Sequence, residues 1–192
     1  MKPFSLLIIF FSCFLLFGGE LRSQSCEELI ADNRVIGGTH ILRSQSQTLV
    51  VRGNYTYSME LISDDKGITA LVVSKGGIEF NQDDEVIFMD ANQTRRSYRF
   101  IGMAEINNEG GVPIHSNILQ LDMTALQWFS NNLITTIYLK NNISNEMRKY
   151  TFTENRLREF NQLAGCFYQA LDPTLVVDNG EVGLLIPSSA ST

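Results

Sequence analysis

Thiols, imidazoles and clustered carboxylates are the side chains here that could do chemistry. Cys26 and Cys166 lie beyond an apolar N-terminal run that holds Cys13. In an oxidising compartment the two can pair; otherwise they are separate thiols, with Cys166 a small buried hydrophobe. A bridge would tie the N-terminus to a late helix. In the chain-entropy model so long a loop contributes on the order of 4–5 kcal/mol. The only histidines are His40 and His115. Zinc takes three or four His, Cys or carboxylate ligands. With no HExxH and no paired CxxC, each histidine reads as a surface or loop residue. No metal and no cofactor is expected.

Asp64-Asp65 and Asp83-Asp84-Glu85 gather oxygen atoms of the kind calcium takes. Neither run has EF-hand spacing, and Asp is equally a turn former. Paired carboxylates for glycoside hydrolysis need a set separation in space, and nothing in the chain marks such a pair. Nucleophile signatures are absent: no GxSxG, no SxxK, no cysteine in a catalytic setting. Gly37-Gly38, Gly76-Gly77 and Gly110-Gly111 lack phosphate-loop spacing and read as turns. No catalytic residue is therefore assigned. Tyr55, Tyr57, Tyr98, Trp128 and Tyr138 can line a platform for a sugar or apolar ligand, or can pack as strand core. Asn54, Asn92 and Asn142 open N-x-S/T triplets, which matter only in a eukaryotic secretory pathway.

The elements that must carry these residues are mostly strands. Glu27–Ile30 is a short segment before a loop through Gly37-Gly38. Thr48 to Arg52 is β-branched and apolar. Tyr55, Tyr57, Met59 and Leu61 alternate with Thr56, Ser58 and Glu60, the period of a half-buried strand. Residues 63–67 turn into Ile68–Val73, which predicts an antiparallel hairpin. Further strands are predicted over Glu85–Met89, Arg96–Met103, Ser116–Leu121 and Leu133–Leu139, with a flexible loop at Asn107–Gly111. Asp122 or Thr124 can cap a short helix holding Leu126, Trp128 and Phe129. Thr153 can cap a longer one over about 154–171. There Leu157, Phe160, Ala164, Phe167 and Leu171 form one apolar stripe, and Asp172-Pro173 stops it. That stripe needs an apolar partner, and the buried sheet face supplies it. The expected fold is mainly β (α+β): a curved antiparallel sheet of about eight strands, sandwich- or barrel-like, with the C-terminal helix packed on it. Residues 26–173 read as one β-rich domain and 174–192 as a tail that adds an edge strand or stays loose.

The run Gly77-Ile78-Glu79-Phe80-Asn81-Gln82-Asp83-Asp84-Glu85-Val86-Ile87-Phe88 resembles a strand–turn–strand pattern of small exported bacterial proteins of uncharacterised activity. Leu121–Leu126 and Ile134–Leu139 are similar to their helix-then-strand segment, and a terminal helix carrying a cysteine, as around Cys166, also occurs in them. The resemblance spans about residues 50–170. It implies export and a β-rich fold, and supplies no activity and no site residues.

Export is also read from the N-terminus. Lys2 precedes Phe4–Phe17, 14 residues without a charge. A transmembrane helix needs roughly 20 apolar residues, whereas a signal-peptide h-region has about 7–15. Ser23 and Ser25 suit a cut before Cys26, so residues 1–25 are expected to be a removable signal peptide. An uncleaved anchor is the alternative, although Gly18-Gly19 and Glu20 end the run early. Cys26 makes a poor lipidation site, because residues 18–25 separate it from the apolar run.

The chain carries net charge −6; without residues 1–25, which hold Lys2, Arg22 and Glu20, it carries −7. An acidic surface repels phosphate backbones, so nucleic acid is not an expected partner. No basic amphipathic helix marks membrane-surface binding, and no stable membrane span is expected after cleavage. The expected protein is periplasmic or secreted. Its expected role is non-enzymatic binding of an unknown protein or cell-envelope component, or a structural one. The alternatives are a lipocalin-like small-molecule carrier and a secreted hydrolase with a carboxylate site.

Overall fold

The fold is given by a computed structural model, which describes residues 25–177 and the backbone of 184–186. Twelve strands and three helices are present among them. In chain order these are α1 (Cys26–Leu29), β1 (Ile30–Ile36), β2 (Thr39–Ser44), β3 (Gln47–Arg52), β4 (Tyr55–Asp64), β5 (Gly67–Lys75), β6 (Glu85–Asp90), β7 (Arg95–Arg99), β8 (Glu105–Glu109), β9 (Val112–Gln120), α2 (Met123–Asn131), β10 (Ile134–Lys140), β11 (Met147–Thr151), α3 (Glu154–Ala170) and β12 (Leu184–Ile186). The expected signal peptide lies outside the described residues as far as residue 24, as do 178–183 and 187–192 of the tail.

All strand pairs are antiparallel, in two sheets. The first has seven strands in the order β1-β2-β4-β5-β9-β8, with β3 also on β4; the second has five, β11-β10-β6-β7-β12. The sheets are not closed into a barrel, so the sandwich-like form is the one adopted. Within the tail, Leu184–Ile186 forms an edge strand on β7.

The period-2 reading of 55–61 holds, and the strand runs on through Ser63 and Asp64, which were expected in the turn: Tyr57, Met59, Leu61 and Ser63 point inward and their neighbours outward. Two expected loops are hairpins instead. Residues before Gly37-Gly38 form β1, and Asn107 lies in β8 rather than in a flexible loop. Each hairpin closes on two glycines with positive φ, 60° and 85° at Gly37-Gly38 and 60° and 83° at Gly110-Gly111. That backbone matches the strand twist and suits glycine. Arg96–Met103 is shorter than expected as a strand. β7 ends at Arg99, after which Phe100 bridges Leu119 of β9 and links the two sheets.

β2 and β3 lie end to end along β4, broken at Gln45-Ser46. There the buried Ser44 hydroxyl accepts the Leu61 N–H at 2.9 Å and donates to the Gln45 carbonyl at 2.9 Å. A side chain thus supplies the ladder bond the backbone gives up. Asp122 caps α2, its Oδ1 accepting the Ala125 N–H at 2.6 Å. The stripe on α3 buries Phe160, Ala164, Phe167 and Leu171. α3 touches β2 and β3 of one sheet, β10 of the other, and α2. Phe88, Phe129 and Phe160 meet there, with ring centroids 4.9 to 6.3 Å apart. Cys26 and Cys166 form a disulfide, with Cα atoms 5.2 Å apart, fixing α1 to α3. Among the described residues no helix is long and apolar enough to cross a membrane.

Candidate binding face

Strand register decides what shares a surface. Glu85 of β6 lies opposite Arg99 and Lys140; Ile87 lies opposite Ser97 and Tyr138; Met89 lies opposite Arg95 and Thr136. Tyr138 in turn lies opposite Lys149 of β11. The alternate set, Val86, Phe88, Tyr98, Ile137, Leu139 and Tyr150, is core. The first set therefore forms the outer face of the second sheet. Among the described residues it carries Arg95, Arg99, Lys140 and Lys149 against one carboxylate, Glu85, in a chain whose net charge is −6.

Tyr138 sits amid these cations. The Arg95 guanidinium lies 5.2 Å and the Lys149 ammonium 6.0 Å from its ring centroid, close enough for cation–π attraction. Its hydroxyl points to the Met89 sulfur at 3.8 Å. Neither Arg95 nor Lys149 forms an ion pair among the described residues. Glu85 lies 3.4 Å from Arg99 and 3.7 Å from Lys140. It also accepts from the Ser97 hydroxyl at 2.9 Å and the Asn142 side-chain amide at 3.3 Å. Partial burial pushes its carboxyl up, but those hydrogen bonds and the two cations outweigh burial and hold it below the usual carboxylate range. Beside Arg99 a crevice of about 410 Å³ opens, lined by Gln82, Asp83, Ser97, Arg99, Ile101 and Gln120.

Buried carboxylates elsewhere hold backbone. Asp84 accepts the Asn81 N–H at 3.0 Å and the Asn142 N–H at 2.9 Å, with the Asn141 amide at 3.3 Å. Asp90 Oδ1 accepts the Asn92 and Thr94 N–H groups at 2.8 and 2.9 Å. In the 64–65 turn, Asp64 Oδ1 accepts the Lys66 N–H at 2.8 Å. Among the described residues no three His, Cys, Asp or Glu side chains gather as a metal site would require.

Of the aromatic residues singled out from sequence, Tyr138 lies on the outer face and the other four divide into two groups inside the sandwich. Tyr57, 1 % exposed, packs between Tyr55, which is half-buried, and Tyr150. Tyr98 and Trp128 pack on Phe129 in the core, with the Arg96 guanidinium 5.3 Å from the centre of the Trp128 ring system. Tyr55, Tyr57, Tyr98 and Trp128 are thus not brought together on one surface. His40, expected at the surface or in a loop, is buried in β2. Asn33 Oδ1 lies 2.9 Å from its Nε2, and the Asp172 N–H donates to Nδ1 at 3.1 Å, so Nε2 carries the proton. His115 lies part-buried in β9.

The cationic face escaped sequence reasoning. Alternating Arg95, Ser97 and Arg99 within β7 were its only local signal; the rest depends on pairing β6 with β10, some 50 residues away. Compared with protein-family models, with curated proteins and with solved structures, the chain matches none.

Proposed function

We propose that this chain is an exported, non-enzymatic β-sandwich domain that binds a cell-envelope component through the outer face of its second sheet. The observation that carries this reading is the segregation of Arg95, Arg99, Lys140 and Lys149 onto one face of an acidic chain. A local positive field on an otherwise negative molecule orients it toward an anionic surface or polymer and repels it in other orientations. The Cys26–Cys166 bridge supports export, since disulfides persist outside the reducing cytoplasm. Engagement of Asp84, Asp90 and Glu85 in structural bonds weighs against a hydrolase, and the open sandwich weighs against a lipocalin-like carrier.

The test has two parts. Full-length protein expressed in its host is expected in the exported fraction, beginning near Cys26. The purified protein is expected to be retained on washed cell envelopes in low salt and released in high salt. Lys149→Gln combined with Arg95→Gln is expected to abolish most retention while leaving the circular dichroism spectrum unchanged. Cytosolic protein with its leader intact would refute export. Equal retention of the double variant would refute the face.

A further inference from the structure

We infer that the ligand of this face is an acidic polysaccharide, a linear sugar chain carrying carboxylate, phosphate or sulfate groups; the inference rests on reading that face as the binding surface. Geometry comes first. Arg95 and Arg99 are four residues apart on one strand, about 13 Å between backbones. Lys149 and Arg95 stand three strands apart, but their charged groups converge on the Tyr138 ring, 6.0 and 5.2 Å from its centre. Lys140 and Arg99 stand two strands apart, about 10 Å, with Glu85 between them. One small anion cannot serve both pairs, Arg95 with Lys149 at Tyr138 and Arg99 with Lys140 at Glu85. A chain bearing repeated anions meets several at once, each contact raising the effective concentration of the next.

The chemistry between the cations selects the kind of chain. Arg99 and Ser97 belong both to the face and to the crevice of about 410 Å³, whose other walls include the Gln82 and Gln120 amides. Amides and hydroxyls donate and accept, as sugar hydroxyls require, while a guanidinium matches a carboxylate or phosphate in two parallel bonds. Asp83 lies on the same crevice and is positioned to accept from a sugar hydroxyl while repelling anions from that wall. A single-stranded nucleic acid calls for open aromatic faces on which bases stack. The face has one aromatic ring, Tyr138, and it is 8 % exposed with Arg95 and Lys149 beside it. A lipid surface calls for several exposed apolar groups to insert; in the middle of this face Ile87 and Tyr138 are each 8 % exposed, and Met147, 55 % exposed, stands at its edge on β11.

The exported protein is titrated with polygalacturonate, with dextran sulfate and with uncharged dextran. Parallel arms use an oligothymidylate and phosphatidylglycerol vesicles. Binding to at least one charged glycan is expected, weakening as salt rises, with no binding to dextran. Polygalacturonate alone would identify a carboxylate ligand; dextran sulfate would identify an ester-borne charge. Arg95→Gln with Lys149→Gln is expected to weaken that binding about tenfold, and Lys66→Gln, in the β4–β5 turn of the other sheet, to leave it unchanged. Failure of both charged glycans, equal binding of dextran, an unaffected double variant, or binding only to the oligonucleotide or the vesicles would overturn the inference. If the double variant still loses envelope retention while neither glycan binds, the ligand class is wrong and the face stands. If retention persists in that variant, the face itself is wrong.

Discussion

The Asp84 carboxylate accepts the backbone N–H of Asn142 at 2.9 Å, joining the loop before β6 to the β10–β11 turn across 58 positions of sequence. The same carboxylate takes the Asn81 N–H, so one buried charge organises two loops at the end of the second sheet. A carboxylate that accepts backbone amides is held by charge-assisted bonds and leaves several donors unpaired when removed.

Asp84→Ala is therefore expected to destabilise the protein by about 2–4 kcal/mol. Urea unfolding followed by tryptophan fluorescence checks this. A midpoint equal to that of the parent protein would show that the two loops hold without the carboxylate.

Glu85 makes a prediction about pH. Its folded pKa lies below its unfolded value near 4.5. Its contribution is thus fully present above about 4.5 and is lost as pH falls through the depressed folded value. Glu85→Gln should lower the melting temperature at pH 7, and the gap to the parent protein should narrow below about pH 4. A gap that is constant from pH 7 to pH 3 would contradict the assignment.

The disulfide closes a separation of 140 residues. Reduction, or the Cys26→Ser/Cys166→Ser pair, is expected to cost about 2–5 kcal/mol. Thiol titration of unreduced, denatured protein should find no free Cys26 or Cys166. Finding both free would eliminate the bridge.

Gly77 shows how tightly the tyrosine cluster is roofed. A Cβ there would lie 2.5 Å from Ser74 Oγ and 2.6 Å from the Tyr57 hydroxyl, which also accepts the Ile78 N–H at 3.3 Å. Gly77→Ala is expected to cost about 1–3 kcal/mol through overpacking. The Tyr57→Phe background removes one of these two oxygens and leaves the nearer, Ser74 Oγ, so it should soften part of that cost in a double-mutant cycle. Additive effects would show that the clash lies elsewhere.

His40 joins three segments, bonding Asn33 of β1 from β2 and accepting the Asp172 N–H beyond α3. His40→Ala should destabilise by about 2–3 kcal/mol and speed proteolysis after Asp172-Pro173. Unchanged protease resistance would show that the end of α3 is held by other contacts.

Local periodicity was enough to place β4, β5, α2 and α3, because alternation and the 3-4 spacing are written in neighbouring residues. Asp122 and Thr124 were both readable as the cap of α2 for the same reason, and the structure uses Asp122. The β1 and β8 strands were hidden, since exposed hairpin arms such as Glu105–Glu109 carry no apolar face to betray them. The cysteines were visible as candidates, but their pairing depended on where α1 and α3 come to rest. Whether Tyr57, Tyr98 and Trp128 faced outward or inward was equally open, because an aromatic residue suits either side of a strand until the sheets are stacked. The cationic face is the clearest product of tertiary structure. Arg95, Arg99, Lys140 and Lys149 become neighbours only through the β7–β6–β10–β11 register, in which a slip of one residue would send each side chain to the opposite side.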